Sequence, residues 1–287
     1  GGDAVLDAGP DYLSDLIRHR QHPRLLAHAQ QRARLRKTSL WAVLAQARPA
    51  ARIHLPAAMR QTAAELRGRP REWTPQARRP FAWVPLLASA DWMTTDARHQ
   101  LADALTEAAD RITAAPRHLA SWTERADLAQ IGANIAGWRQ IALAEYGTEL
   151  AAPYLDNEVI RACLAVPPDQ RGAPGRFKPL LAAAFPYGPV PDFVLQRTTK
   201  GGFNGISYAG LRQHAGLLAE LLGPAARLAA LGLVTEAPIR RQLARASAGQ
   251  HLAQGAVHHT VAAEIWLRQL TTAHGAWWTE VPTHAAA

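Results

Sequence analysis

The sequence predicts a mainly α-helical protein. Apolar residues recur at helical spacing, and the clearest case is the run Ile131, Ile135, Trp138 and Ala142, which should form the buried stripe of a helix that ends at Gly147. Alternation of apolar and polar residues, the mark of a half-buried strand, is scarce along the chain. With 287 residues, 48% of them hydrophobic, the chain is long enough to bury a substantial core.

The basic amino-terminal segment and the carboxy-terminal segment both have helical patterns. Residues 12–46 are predicted as a pair of surface helices with a break near Pro23, and residues 207–273 as three or four amphipathic helices. Residues 68–85 contain too many prolines for a regular element, so we predict a long ordered loop there. Three tryptophans in and after this loop are predicted to lie outside the core, which suggests a contact with a peptide: Trp73, Trp83 and Trp92.

Two helix starts can be read from capping residues. Thr95 or Asp96 should cap a helix that runs to about Ala115. Asp156 should cap another helix, with Glu158 in its first turn, where a negative charge meets the positive end of the helix dipole.

The chain is strongly basic, with a net charge of +9 and a pI near 10.5. Arginine accounts for 29 of the 32 basic residues, because lysine occurs only at positions 37, 178 and 200. We attribute most of this charge to biased codon usage. The functional alternative is a polyanionic partner such as a nucleotide, an acidic peptide or RNA.

The single cysteine, Cys163, excludes an internal disulfide and is predicted to be a buried core thiol. This cysteine usage indicates a reducing cytoplasm. The longest apolar stretch, residues 81–93, is shorter than a membrane-spanning helix, so no membrane association is predicted. The histidines lack metal-ligand spacing, which disfavours a zinc site.

Two segments carry candidate chemistry. Lys200 lies next to Gly201 and Gly202, where a compact cation and an open backbone could hold a phosphate or a developing oxyanion; the alternative is a solvent-facing lysine in a turn. Asp3 follows Gly1 and Gly2 and is a candidate magnesium ligand; the alternative is an ordinary turn or helix cap.

Four segments taken in order resemble the synthetase domain of the asparagine synthase family. That family's pattern is a glycine-rich turn with Asp-Glu, then Glu-x-Arg-x-Pro-Phe-Leu-Asp, then Lys-x-Leu-Leu, then an Arg-Pro-Lys-x-Gly-Phe loop. The matching segments here are Gly-Gly-Asp at 1–3, Glu-Leu-Ala-Ala-Pro-Tyr-Leu-Asp at 149–156, Lys-Pro-Leu-Leu at 178–181 and Arg-Thr-Thr-Lys-Gly-Gly-Phe at 197–203.

The resemblance implies a mainly helical carboxy-terminal part of an α/β domain of the PP-loop ATP pyrophosphatase-like type. It also implies ATP and Mg²⁺, adenylation of a carboxylate and attack by an amine. Asp3 corresponds to a magnesium-binding aspartate, Gly1 and Gly2 to the turn lining the ATP site, and Lys200 to the catalytic lysine that holds the pyrophosphate. Glu149 corresponds to a catalytic residue facing the substrate, and Asp156 to the active-site floor.

Departures from the family pattern point away from free aspartate as the substrate. Ala4 replaces the family's Glu after the metal-binding Asp, and Ala151 replaces the Arg of the middle motif. These departures resemble the lasso peptide cyclases, which join an Asp or Glu side chain of a precursor peptide to its amino terminus. The partners implied are a precursor peptide, a leader-peptide-binding protein and a leader peptidase.

Residues 1–287 are expected to form the carboxy-terminal portion of one synthetase domain. The family's Ser-Gly-Gly-x-Asp-Ser pyrophosphate loop does not occur in the sequence. We therefore expect the upstream half and any glutaminase domain to be missing, and the fragment to be inactive by itself.

Three alternatives remain open. A glutamine-hydrolysing asparagine synthase would make asparagine from free aspartate. A basic helical module would bind RNA or DNA through the arginines of residues 18–37, although that run lacks a recognised reading motif, which disfavours nucleic acid. An inactive scaffold would position a precursor peptide without catalysis.

Overall fold

The computed structural model describes residues 5–68, 81–172, 174, 178–185, 188, 190–196, 202, 204–250 and 253–272. It divides into two compact units, the first made of residues 1–61, 78–85 and 107–201, and the second of 62–77, 86–106 and 202–287. Helices α4 (Leu55–Arg67) and α5 (Thr95–Arg111) each contribute residues to both units.

The other helices belong to one unit each. Those of the first unit are α1 (Tyr12–Arg18), α2 (His22–Leu35), α3 (Leu40–Arg52), α6 (Leu119–Tyr146), α7 (Asn157–Leu164), α8 (Pro168–Arg171), α9 (Pro179–Ala184) and α10 (Asp192–Leu195). Those of the second unit are α11 (Asn204–Gln213), α12 (Ala215–Leu221), α13 (Arg227–Ala230), α14 (Glu236–Ser247) and α15 (Gln254–Thr272). Short 3₁₀ turns occupy Ala88–Asp91 and Pro153–Leu155.

The predicted helical character is confirmed. Among the described residues the β pairing consists of one isolated bridge between Met93 and Val234. No helix in the described part of the chain has the length and apolarity that a membrane crossing needs.

The core of the first unit forms where α1, α2 and α3 pack together. Leu13 and Leu16 of α1 are buried with Ala29 of α2 and Ala47 of α3. The Ser14 hydroxyl, also buried, donates to the Ala47 carbonyl at 3.0 Å, so its polar atom is satisfied inside the core. Tertiary packing of these apolar faces stabilises helices that are too short to persist alone.

Residues 12–46 contain more than the predicted pair of surface helices. The helices α1, α2 and the start of α3 occupy this stretch, and residues Tyr12 to Leu16 are buried. The predicted break near Pro23 is present at residues 19–21, where Arg20 has a φ of 56°. Pro23 itself lies in the first turn of α2, where its missing N–H is tolerated.

The second unit has its own core around Trp92, Leu222, Ile239 and Val257. The Glu264 carboxylate is fully buried and accepts hydrogen bonds from the backbone N–H groups of Arg227 and Leu228 at 2.9 and 3.0 Å. Burial alone would raise the pKa of Glu264, but these two amides and the Arg268 guanidinium outweigh it and leave that pKa below its usual value. An acid in α15 therefore serves as the cap of α13.

The burial predictions for Trp83, Trp92 and Trp138 were wrong, and so was the predicted cap of α5. Trp83 and Trp92 are core residues, each 2% exposed, so they do not form a peptide-contacting patch; Trp73 lies outside the described residues. Trp138, predicted to be buried, is 61% exposed. The cap of α5 is Thr94, whose hydroxyl accepts from the Ala97 N–H at 3.1 Å, and the helix ends at Arg111.

Helical spacing explains the error at Trp138. The run from Ile131 to Ala142 does lie on one helix, α6, and that helix ends at Gly147 as predicted, with a left-handed φ of 58°. The second half of α6, however, leaves its apolar side chains in solvent, since Leu143 and Tyr146 are 65% and 77% exposed. Periodicity shows that side chains share a face, but not whether another element covers that face.

Candidate functional site

A small apolar cluster joins four separate segments of the first unit. Val5 and Leu6, which follow the Gly-Gly-Asp motif after Ala4, are buried at 0% and 6% exposure and pack with Cys163 of α7. The partly buried residues packed against them come from α6, α7 and α9: Leu128, Val159, Ile160, Leu180 and Leu181. The segment after Gly-Gly-Asp, the helix that starts after Asp156 and the Lys-Pro-Leu-Leu segment therefore meet in one place.

Asp156 starts α7 as predicted. Its Oδ1 accepts a hydrogen bond from the Glu158 N–H at 2.8 Å, and Glu158 lies in the first turn. A cap of this kind typically contributes about 1 kcal/mol. The cap fixes the start of the helix whose buried face contacts Val5 and Leu6.

A buried arginine holds the backbone of residues 5–7. The Arg171 side chain, at the end of α8, is 0% exposed, and its Nη1 donates to the carbonyls of Val5 and Asp7 at 3.2 and 3.1 Å. Its Nη2 donates to Glu124 Oε1 at 2.8 Å, and the Glu124 side chain is only 10% exposed. The Arg171 guanidinium thus links α6 and α8 to the segment that follows Asp3.

Close backbone packing supports the same segment. A Cβ placed on Gly172 would lie 2.9 Å from Ala8 Cβ and 3.0 Å from the Ala8 carbonyl oxygen. Real side chains do not tolerate such distances, so a residue larger than glycine at 172 would push residues 5–9 away from α8.

The start of α6 is anchored by an acid from α1. Asp15 accepts hydrogen bonds from the backbone N–H groups of Leu119 and Ala120 at 2.7 and 2.9 Å. Burial raises the pKa of Asp15, while the two amide bonds act in the opposite direction. The long helix that carries Glu124 is therefore fixed against α1 at its first turn.

Asp11 is a second acid at this junction, and it is partly buried. Burial raises its pKa from 3.8 to about 6; the Thr123 hydroxyl, which donates to Asp11 Oδ2 at 3.2 Å, opposes the shift, and the nearby Asp127 and Asp15 add to it. Above that pH the folded protein holds an ionised carboxylate in poorly hydrated surroundings.

Asp11→Asn should therefore stabilise the protein at neutral pH. The pKa of Asp11 is higher in the folded protein than in the unfolded chain. The protonated Asp11 side chain therefore costs nothing below about pH 4, and the folded protein loses stability as this carboxyl ionises between about pH 4 and 6. We expect a gain of about 1–3 kcal/mol at pH 7 and almost no difference below pH 4, measured by urea unfolding. An equal effect at both pH values would show that ionisation is not its cause.

The model of the asparagine synthase family matches residues 1–268 of the chain. The chain belongs to the asparagine synthase family. Members of this family are ATP-dependent amide ligases, so ligase activity and the use of ATP follow at that general level. No curated protein and no solved structure matches the chain.

Four of the six predicted site residues of this asparagine synthase family member lie outside the described residues: Gly1, Gly2, Asp3 and Lys200. Their roles stay predictions. Val5 and Leu6, which lie close to Asp3 in the sequence, belong to the apolar cluster described above.

Glu149 lies in the loop between α6 and the 3₁₀ turn and is exposed. The loop itself is tied to α6, because Arg139 Nε donates to the Leu150 carbonyl at 2.9 Å and the Thr148 N–H donates to the Ala142 carbonyl at 3.1 Å. An exposed carboxylate on a fixed loop is available to a substrate. Its catalytic role stays a prediction.

The described residues contain no group of three or more His, Cys, Asp or Glu side chains able to hold a metal ion. The predicted Mg²⁺ ligand, Asp3, lies outside that part of the chain. The described residues are compatible with an Mg²⁺ ligand at Asp3, because Arg171 and the apolar cluster hold the nearby backbone from Val5 to Asp7 in place.

Sequence reasoning missed four residues that build this region of the asparagine synthase family member. They are Asp11, Asp15, Glu124 and Arg171. Arg171 is 47 positions from Glu124 and 166 from Val5, so no local spacing links them. The one available signal was Asp15, an acid within an apolar helix.

Proposed function

We propose that this protein is a lasso peptide macrolactam cyclase, an ATP-dependent ligase that joins an Asp or Glu side chain of a precursor peptide to the peptide's amino terminus. The structural observation that supports the ligase assignment is that Leu180 and Leu181 of the Lys-Pro-Leu-Leu motif pack with the residues that follow two other motifs, Val5 and Leu6 after Gly-Gly-Asp and α7 after Asp156. The family places ATP and the acyl substrate near these motifs. The replacement of the family's Glu and Arg by Ala4 and Ala151 favours a peptide over free aspartate.

The proposed reaction has two steps. A carboxylate oxygen of the peptide attacks the α-phosphorus of ATP, and pyrophosphate leaves. The amino-terminal nitrogen then attacks the acyl carbon, AMP leaves, and the nitrogen gives up a proton. Asp3 would bind Mg²⁺, which neutralises phosphate charge, and Lys200 would hold the departing pyrophosphate.

The described residues contribute positioning. The Arg171 bonds to the carbonyls of Val5 and Asp7 limit the freedom of the chain next to Asp3. The arrangement reduces the reorganisation needed when a metal–nucleotide complex binds. Glu149, on its tethered loop, would face the substrate.

ATP–pyrophosphate exchange on the full-length protein tests the proposal. We expect exchange that depends on a candidate precursor peptide and not on aspartate. Replacing the acceptor Asp or Glu of the peptide with Asn or Gln should abolish exchange, because no carboxylate remains. Acetylating the peptide's amino terminus should preserve exchange and abolish ring formation, which separates the two steps.

Other results contradict the proposal at different levels. Exchange driven by aspartate would indicate an asparagine synthase. Absence of exchange with either substrate would exclude ligase activity and leave the scaffold hypothesis.

A further inference from the structure

The entire net positive charge of the chain arises between residues 16 and 64. This stretch holds ten of the 32 basic residues and none of the 23 acidic ones. The other 238 residues carry 22 basic and 23 acidic side chains and balance to −1. Codon bias would enrich arginine along the whole chain, so it does not explain an acid-free segment.

The acid-free segment is built around a helical hairpin, α2 and α3. The inner faces of the two helices pack against each other and the core through small apolar residues: Leu25, Ala29, Ala33, Val43, Ala47 and Ala50. With 14 residues, α2 is about 20 Å long. The outer faces of the hairpin are exposed.

Four of the ten cations have structural contacts. The Arg18 guanidinium donates to the Ala50 carbonyl and contacts His54, and Arg32 lies over the Phe81 ring. Arg24 and Arg60 form ion pairs with acids from outside the segment, Asp169 and Asp110.

The remaining six cations are exposed and have no side-chain partner among the described residues: Arg20, Arg34, Arg36, Lys37, Arg48 and Arg52. We call them the hairpin cations. Three of them, Arg34, Arg36 and Lys37, lie at the turn between α2 and α3, where Lys37 has a φ of 49°. The like charges of Arg34, Arg36 and Lys37, which are within four positions of one another, repel each other, and an anionic partner would remove that cost.

Large apolar side chains lie among the hairpin cations. Trp41 is 75% exposed, and Leu35 and Leu26 are 59% and 47% exposed. Trp41 is seven and eleven positions before Arg48 and Arg52, so all three share one outer face of α3. Trp and Arg are among the residue types most enriched at the energetic centres of protein interfaces.

We propose that the outer face of the α2–α3 hairpin is a docking surface for an acidic polypeptide segment that also carries apolar side chains. Asp or Glu side chains would pair with the hairpin cations, and apolar side chains would cover Trp41 and Leu35. A nucleic acid fits less well, because its phosphodiester backbone offers nothing to cover the exposed leucines. The proposal does not depend on the ligase activity.

Fluorescence anisotropy on the full-length protein tests the surface. The probe is a labelled 14-residue peptide of Glu, Leu and Ala, as long as α2; controls are the same peptide with Gln for Glu, and a 14-nucleotide oligo-dT. The test variant carries Arg34→Gln, Arg36→Gln and Lys37→Gln. A matched variant loses the same charge at exposed, ion-paired arginines elsewhere: Arg111→Gln, Arg161→Gln and Arg240→Gln.

We expect the hairpin variant to weaken binding of the Glu peptide at least about tenfold at about 50 mM salt, and the matched variant by less than about twofold. Trp41→Ala should weaken the same peptide about fivefold, because the residue is exposed and not needed for folding. If the two triple variants lose the same affinity for the Glu peptide, binding depends only on the net charge of the protein, and the proposal is overturned. Tighter, hairpin-dependent binding of oligo-dT, or no binding of the Glu peptide, would also overturn it.

Discussion

Glu124→Leu should lower the free energy of unfolding by about 3–5 kcal/mol, because it leaves the Arg171 guanidinium buried without a counter-charge. The Arg171 and Glu124 side chains are 0% and 10% exposed and 2.8 Å apart, so water cannot replace the lost carboxylate. Urea unfolding followed by circular dichroism measures the effect. A decrease in the free energy of unfolding of less than about 1 kcal/mol would show that the Arg171–Glu124 pair behaves like a solvent-exposed ion pair.

Two further variants identify the cause. Glu124→Leu with Arg171→Met should recover part of the loss, because the unpaired charge is gone; the recovery is incomplete because the Val5 and Asp7 carbonyls lose their donor. Glu107→Leu breaks the exposed pair with Arg111 and should cost less than about 1 kcal/mol. A double variant less stable than Glu124→Leu alone would contradict the role of the unpaired charge.

Lys200→Ala in the full-length protein should reduce product formation at least roughly a hundredfold while leaving the fold intact. The proposed role of Lys200 is to place a compact positive charge on the departing pyrophosphate, and the following Gly201 and Gly202 would let the backbone approach the phosphates. Product formation by mass spectrometry and ATP–pyrophosphate exchange are the measurements.

The controls separate this role from general charge. Lys200→Arg keeps the charge but replaces a point cation with a planar fork, so we expect it to stay strongly impaired. Arg240→Ala removes an exposed cation paired with Glu236 and should keep full activity. Turnover by Lys200→Ala at the wild-type rate would remove Lys200 from the mechanism.

Local sequence signals predicted the features that depend on neighbouring residues. Asp156 caps its helix, Gly147 ends α6 in a left-handed conformation, and Cys163 is a buried free thiol, all as predicted. Each of these depends on a few adjacent positions and on one backbone or burial preference. Local signals failed where coverage by a distant segment decides the outcome, as at the exposed Trp138 and the buried Trp83.

By itself the sequence determined that the protein is mainly helical, that it carries the ordered motifs of the asparagine synthase family, and where its helices α6 and α7 end or begin. The tertiary structure alone decided that Val5 and Leu6 pack with α7 and with Leu180 and Leu181, and that Arg171, paired with the buried Glu124, holds the Val5 and Asp7 carbonyls. The physical reason is the range of the interactions: caps and breakers act within one helical turn, whereas burial and desolvated ion pairs depend on residues brought together from far along the chain.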